Sequence, residues 1–86
     1  MTLPYTENQV DNAAMRIFSE NIDPIELMWH RDDEDRVIES VDKTDWLIQL
    51  EDELPREIVG KINIARHQWH RLIKGTGDLT VKILKM

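Results

Sequence analysis

Residues 61–74, KINIARHQWHRLIK, can be read in two ways, and the choice between them decides the fold. With a period of two, Ile62 and Ile64 face one way. Further along, Trp69, Arg71 and Ile73 then alternate with His70, Leu72 and Lys74, as in two short strands. With a period of 3.6, Ile62, Ala65, Trp69, Leu72 and Ile73 share one face of a helix that Gly75 would cap. Arg66 and Arg71 would then ride a basic helix. The local pattern alone leaves both readings open.

The segments on either side read as strands. Gly75-Thr76-Gly77-Asp78 is a turn, after which Leu79, Val81 and Ile83 alternate with outward Thr80 and Lys82. Trp46, Ile48 and Leu50 alternate with Leu47 and Gln49. Arg36 to Val41 is rich in β-branched residues, and the polar Asp42 to Asp45 between these two runs predicts a hairpin loop. Glu51-Asp52-Glu53 predicts a second turn, with a short strand from Leu54 to Val59 around Pro55. Met15 to Phe18 is an apolar patch, either a strand or the end of a short helix. Asp23-Pro24-Ile25-Glu26 has the marks of a helix start: an Asp cap, Pro at the first position and Glu at the third. That helix is expected to be a single turn, because Trp29 to Asp35 becomes very polar. Residues 1 to 12 are polar and expected to be loose. The division expected is a polar N-terminal segment, 1–14, followed by one domain, 15–86.

The chain has 86 residues, 41% hydrophobic and 33% charged, with a formal net charge of -6. At this length it is one domain and buries only about 60% of its unfolded surface. It has no cysteine, which excludes disulfides and thiolate metal sites. No stretch approaches the roughly 20 apolar residues of a membrane span. Met1 to Val10 lacks the basic start and apolar run of a signal peptide, so a cytoplasmic location is expected. The acidic balance disfavours nonspecific nucleic-acid binding. Residues 1–59 hold 5 basic and 16 acidic side chains, a net of -11, and residues 60–86 hold 6 basic and 1 acidic, a net of +5. In so short a chain these parts are expected to pack together and neutralise.

Three words, WHRDDEDRVIE at 29–39, WLIQLEDELP at 46–55 and WHRLIKGTGDL at 69–79, resemble a family. Their order and spacing are similar to those of small single-domain cupins found in marine bacteria and their phages, from about Phe18 to Ile83. The resemblance implies an all-β fold, a small antiparallel barrel of jelly-roll type, and so favours strands over a helix at 61–74. Two departures stand out. Asp42-Lys43-Thr44-Asp45 occupies a hairpin that cupins usually turn with glycines, and Ile64-Ala65 replaces the usual Ile-Pro before the second motif.

The resemblance also implies a metal site, with His-x-His and a Glu on early core strands and a His on a later one. The first His matches His30 and the last matches His70. The second His position holds Asp32, and the Glu position falls on Arg36. Two imidazoles and a carboxylate suffice for a divalent ion such as iron, manganese, nickel or zinc. Glu34 shares the parity of His30 and Asp32 and is a further candidate ligand. Arg36 opposes a metal, because a guanidinium keeps its charge. It can instead pair with Asp32 or Glu34, which predicts a degenerate site. Arg36, Trp46 and Trp69 are the candidate ligand-binding residues, although tryptophans in so small a core usually serve packing.

The function expected is a cupin-like ligand-binding or accessory module of unassigned role, forming a homodimer and holding a small molecule. The alternative is a metal-dependent oxygenase or isomerase using His30, Asp32 or Glu34, and His70, with Arg36 anchoring an anionic substrate. A third reading, a helical nucleic-acid-binding module, rests on the helix interpretation of 61–74.

Overall fold

The computed structural model describes residues 5–10, 13–23 and 27–85. Eight strands run in order: β1 (Thr6–Val10), β2 (Ala13–Phe18), β3 (Arg36–Ser40), β4 (Leu47–Leu50), β5 (Arg56–Glu57), β6 (Lys61–Ile64), β7 (His70–Ile73) and β8 (Leu79–Lys85). They form a five-stranded sheet of order β1-β2-β8-β3-β6 and a three-stranded sheet of order β5-β4-β7. Every pairing is antiparallel. His30 adds an isolated bridge to His70 and extends the smaller sheet beyond β7. The protein is therefore all-β, two antiparallel sheets face to face in a jelly roll. The described residues contain no α-helix, and none of their segments is a helix long and apolar enough to cross a membrane.

The alternation seen in the sequence becomes the inside and outside of this sandwich. Trp46, Ile48 and Leu50 project from the small sheet, and Ile62, Ile64, Leu79, Val81 and Ile83 from the large one, all buried. Trp46 is fully buried, and its indole Nε1 donates to the Gly77 carbonyl at 2.9 Å, so its one polar atom is satisfied.

The strands expected in 61–74 are present as β6 and β7, which removes the ground of the helical nucleic-acid reading. Three other expectations need correction. The looseness expected of residues 1–12 does not hold for 6–10, because Thr6 to Val10 pair with Ala13 to Ile17 as the edge of the large sheet. The Asp42–Asp45 segment is no hairpin loop. β3 pairs with β6 and β8, whereas β4 pairs with β5 and β7, so this loop crosses from one sheet to the other. Sequence periodicity gives the strands but not their partners, and two adjacent strands joined by four polar residues look alike in both cases. The strand expected from Leu54 to Val59 shrinks to Arg56–Glu57. The helix start at Asp23 to Glu26 falls mainly on residues 24–26, outside the described residues.

The crossing loop is fastened at its C-terminal end. Asp45 Oδ1 accepts the Thr76 backbone N–H at 2.7 Å, and Thr44 Oγ1 accepts that of Trp46 at 3.1 Å. Gly75 is required for this approach: a Cβ there would lie 2.3 Å from Asp45 Oδ1 and 2.7 Å from the Trp46 backbone nitrogen. The bond from Thr76 holds the Asp45 carboxyl below its ordinary pKa.

Candidate metal centre

Strand parity carries Arg36 and His70 inward. Ile38 is buried on β3, so Arg36, two residues earlier, points to the same inner face. His70 is buried at the start of β7. The backbones of His30 and His70 exchange hydrogen bonds of 3.0 and 2.9 Å, which sets the two imidazoles side by side with centroids 4.2 Å apart.

Asp32 arrives on a loop pinned to the turn after β6. The Asp32 carbonyl accepts the His67 N–H at 2.8 Å, and Asp35 Oδ1 accepts the Arg66 N–H at 2.7 Å. The His67 ring reaches Asp33 Oδ1 at 3.2 Å. His67 holds a positive φ of 65° to make this turn. As a result His30, Asp32 and His70 bring one ligand atom each within 4.8 Å of one another. Metal bonds of about 2.0–2.2 Å need ligand atoms roughly 3–3.5 Å apart.

The hydrogen bonds define the protonation of this group. His70 Nδ1 lies 2.8 Å from the Gln68 carbonyl, and His30 Nδ1 lies 3.2 Å from the Met28 carbonyl. A carbonyl oxygen only accepts, so both Nδ1 atoms carry the proton, and Nε2 is the ring nitrogen left to present a lone pair. Burial, the largest influence, pushes the His70 pKa down, and the positive charge of Arg36 acts the same way. Asp32 Oδ2 is 3.2 Å from His70 Nε2, yet this buried oxygen has no hydrogen-bond partner. Both facts follow from one cause: with neutral His70, two lone pairs face each other with no proton between them. Only a proton or a cation reconciles them.

Arg36 does not occupy that gap. Its Nη1 pairs with the other oxygen, Asp32 Oδ1, at 3.3 Å, while Nη2 and Nε donate to Glu34 Oε1 at 2.9 and 3.2 Å. Glu34 is thus turned to Arg36 and stands outside the three-ligand group. Of the residues singled out in the sequence, the structure brings together His30, Asp32, His70 and Arg36. Trp46 belongs to the core. Trp69 lies on the outer face of the small sheet, 40% exposed, with the Arg31 guanidinium 5.3 Å from its ring centre. Neither Trp lines the cavity beside the site.

That cavity, of about 50 Å³, lies between the sheets and is bounded by His30, Asp32, Arg36, His70 and apolar side chains including Phe18, Ile48 and Leu72. At a share of about 30 Å³ per water, it holds one or two. Arg16 also lines it, a residue that sequence reasoning missed. Arg16 sits on β2 between inward Ala14 and Phe18, so the signal was a cation in a buried alternation. Its guanidinium pairs with Glu7 and lies 4.2 Å from the Tyr5 ring centre, and this contact lowers the Glu7 pKa.

No protein-family model and no curated protein matches the chain. Solved structures do. A chain from the crystal structures of two DMSP lyases shares 15% identity over 85% of this chain and 36% of its own, with a TM-score of 0.68. HppE, crystallised with Fe(II) and substrate, shares 9% over 100% of this chain and 55% of its own, with a TM-score of 0.67. A candidate mannose-6-phosphate isomerase from Ralstonia eutropha JMP134 shares 14% over 94% and 81%, with a TM-score of 0.65. These are cupin-fold proteins, and at such identities the likeness shows the fold alone. The chain spans little more than a third of the lyase and about half of HppE.

Proposed function

We propose that this cupin-like barrel is a small-ligand-binding module built on a reduced divalent-metal centre. His30 Nε2, Asp32 Oδ2 and His70 Nε2 would be the ligands, and Arg36 stands where a fourth would be expected. The observation that carries the reading is the orphaned, buried Asp32 Oδ2 facing an imidazole lone pair. The donor set fits a metal in three respects. The imidazoles are fixed in the ligating tautomer by backbone carbonyls, the usual outer partners of metal-bound histidines. The carboxylate splits its two oxygens between Arg36 and the gap. Glu34 and Asp32 Oδ1 offset the guanidinium charge that would otherwise repel a cation.

Two histidines and one carboxylate with open positions are the set used for nonhaem Fe(II), and we propose iron as the ion. The Fe(II) form of HppE is consistent with that choice. When bound, such an ion supplies Lewis acidity and vacant coordination positions. The chain's own contribution is to orient the ligands, hold a proton on Nδ1 of each imidazole and admit only a few atoms to the cavity.

A second reading has its own support. Arg36 pairs with both Asp32 and Glu34, which would suit a metal-free accessory module. Melting temperature after chelation and after adding Fe(II) under anaerobic conditions separates the two. At an excess of 100 times Kd, binding stabilises by about 2.7 kcal/mol, a rise on the order of 10–20 °C for a domain of this size. His70→Ala should abolish the rise. An unchanged melt in the parent protein would favour the metal-free module.

A further inference from the structure

We propose that the outer face of the three-stranded sheet binds a second copy of this chain, related by a two-fold axis. Parity builds this face. Ile48 and Leu50 point into the core, so Leu47, Gln49 and, just past the strand, Glu51 point out. Register and hydrogen bonds set their neighbours in rows. Glu57, Leu47 and Ile73 lie opposite one another across β5, β4 and β7. Gln49 Oε1 accepts from Arg71 Nε at 2.9 Å, and the Arg71 guanidinium lies 5.1 Å from the Trp29 ring centre. The Glu51 N–H donates to the Trp69 carbonyl at 2.8 Å, and Arg31 stands on the far side of Trp69. The acids Glu51 and Glu57 are therefore on the β4–β5 side, and the cations Arg31 and Arg71 are on the β7 side. Arg56 pairs with inward Ile48 and points away from this face.

The larger sheet neutralises its own outer face. Lys82, Glu39 and Lys61 lie side by side in register across β8, β3 and β6. On the smaller sheet the signs stay apart: among the described residues, Glu51, Glu57, Arg31 and Arg71 enter no ion pair. Exposed apolar side chains divide the same way. Met28, Trp29, Leu54, Val59 and Trp69 lie on or flank the smaller sheet, whereas Ile17 is the one so exposed in the described strands of the larger. An apolar patch with Trp and Arg at its centre is the composition of a protein interface. Its charge pattern selects the partner. Rotation about an axis in the face, parallel to the strands, lays the acidic side of one copy over the basic side of the other. An acidic or a basic partner would match one side only.

The test is sedimentation equilibrium of the full chain up to on the order of 100 μM. The parent protein is expected to dimerise, and Trp69→Ala to weaken association by about tenfold or more. Reversing one charge, by Arg31→Glu or Glu51→Arg, should weaken it several-fold, because like charges then face each other. Both reversals in one chain should restore it, since the two-fold again opposes unlike charges. Ile17→Glu, on the outer face of the larger sheet, should leave it unchanged. Melting temperatures check that each variant folds, and the charge reversals decide the matter if Trp69→Ala does not. A monomer at every concentration, or a dimer that the single reversals do not weaken, would overturn the proposal. Loss of the dimer in Ile17→Glu would also overturn it, by placing the interface on the larger sheet.

Discussion

Two acidic loops, 31–35 (RDDED) and 42–45 (DKTD), use the same device to different ends. Each docks on a distant turn through an aspartate that accepts a backbone N–H at 2.7 Å: Asp35 from Arg66, and Asp45 from Thr76. In the second loop the closure is complete. Thr44 and Gly77 accept from Trp46, and Gly75 leaves no room for a Cβ. In the first loop the docking is as firm, yet it delivers Asp32 into the interior with one oxygen unpartnered. Buried polar groups in native folds are nearly all paired. The same construction therefore seals the core in one place and leaves a buried polar atom unpaired in the other.

Of the two loops, 42–45 is the more sensitive to a single substitution, at Gly75. Gly75→Ala should destabilise the protein by about 3 kcal/mol, because the new methyl meets backbone at 2.7 and 2.8 Å as well as the Asp45 carboxylate that fastens the loop. Urea unfolding measures it, and a loss near zero would show that the 42–45 loop is not tightly seated. Asp32→Asn should do far less to the metal-free protein, a change within about 1 kcal/mol. Its amide can donate to the His70 Nε2 lone pair and so fills the gap with a hydrogen bond. A loss of several kcal/mol would mean that the charged pairing of Oδ1 with Arg36, rather than the gap at Oδ2, dominates the energetics of Asp32. His67→Gly, which relieves the positive φ at the turn that holds Asp32, should leave stability nearly unchanged or raise it slightly.

The smallest effect is on acid stability. Glu7, through its bond from Arg16, and Asp45, through its bond from Thr76, both ionise more readily in the fold than at their ordinary values of 4.5 and 3.8. The unfolded chain therefore takes up these protons first as pH falls. Their stabilisation is complete above about pH 4.5 and is lost as pH drops through the lowered folded values. Asp45→Asn should flatten that acid limb in pH-dependent melts, and substitution of the solvent-facing Asp52 should not.

Much of this was legible in the residues. The alternation of Trp46, Ile48 and Leu50, and of Leu79, Val81 and Ile83, gave the buried faces correctly, because a strand's side chains alternate whatever it pairs with. Strand partners were not legible: the four-residue loop after β3 suggested a hairpin, and the structure uses it to change sheets. His30, Asp32, His70 and Arg36 were named together through the resemblance of their flanking words. The division of labour among the carboxylates was not. Glu34 has the same parity as Asp32, and only the three-dimensional position of the Arg36 guanidinium assigns Glu34 to it and leaves Asp32 Oδ2 to the gap. Arg16 escaped notice because its partner Glu7 lies on a strand that the polar N-terminal sequence did not suggest.

The central claim is that the unpartnered Asp32 oxygen and the two Nε2 lone pairs form one cation site. Isothermal titration of Zn(II), a redox-silent substitute, into the chelator-treated parent protein and into Asp32→Asn tests it most directly. The account predicts one ion per chain for the parent and affinity at least about tenfold weaker for the variant. No binding by the parent, or equal binding by both, would contradict it.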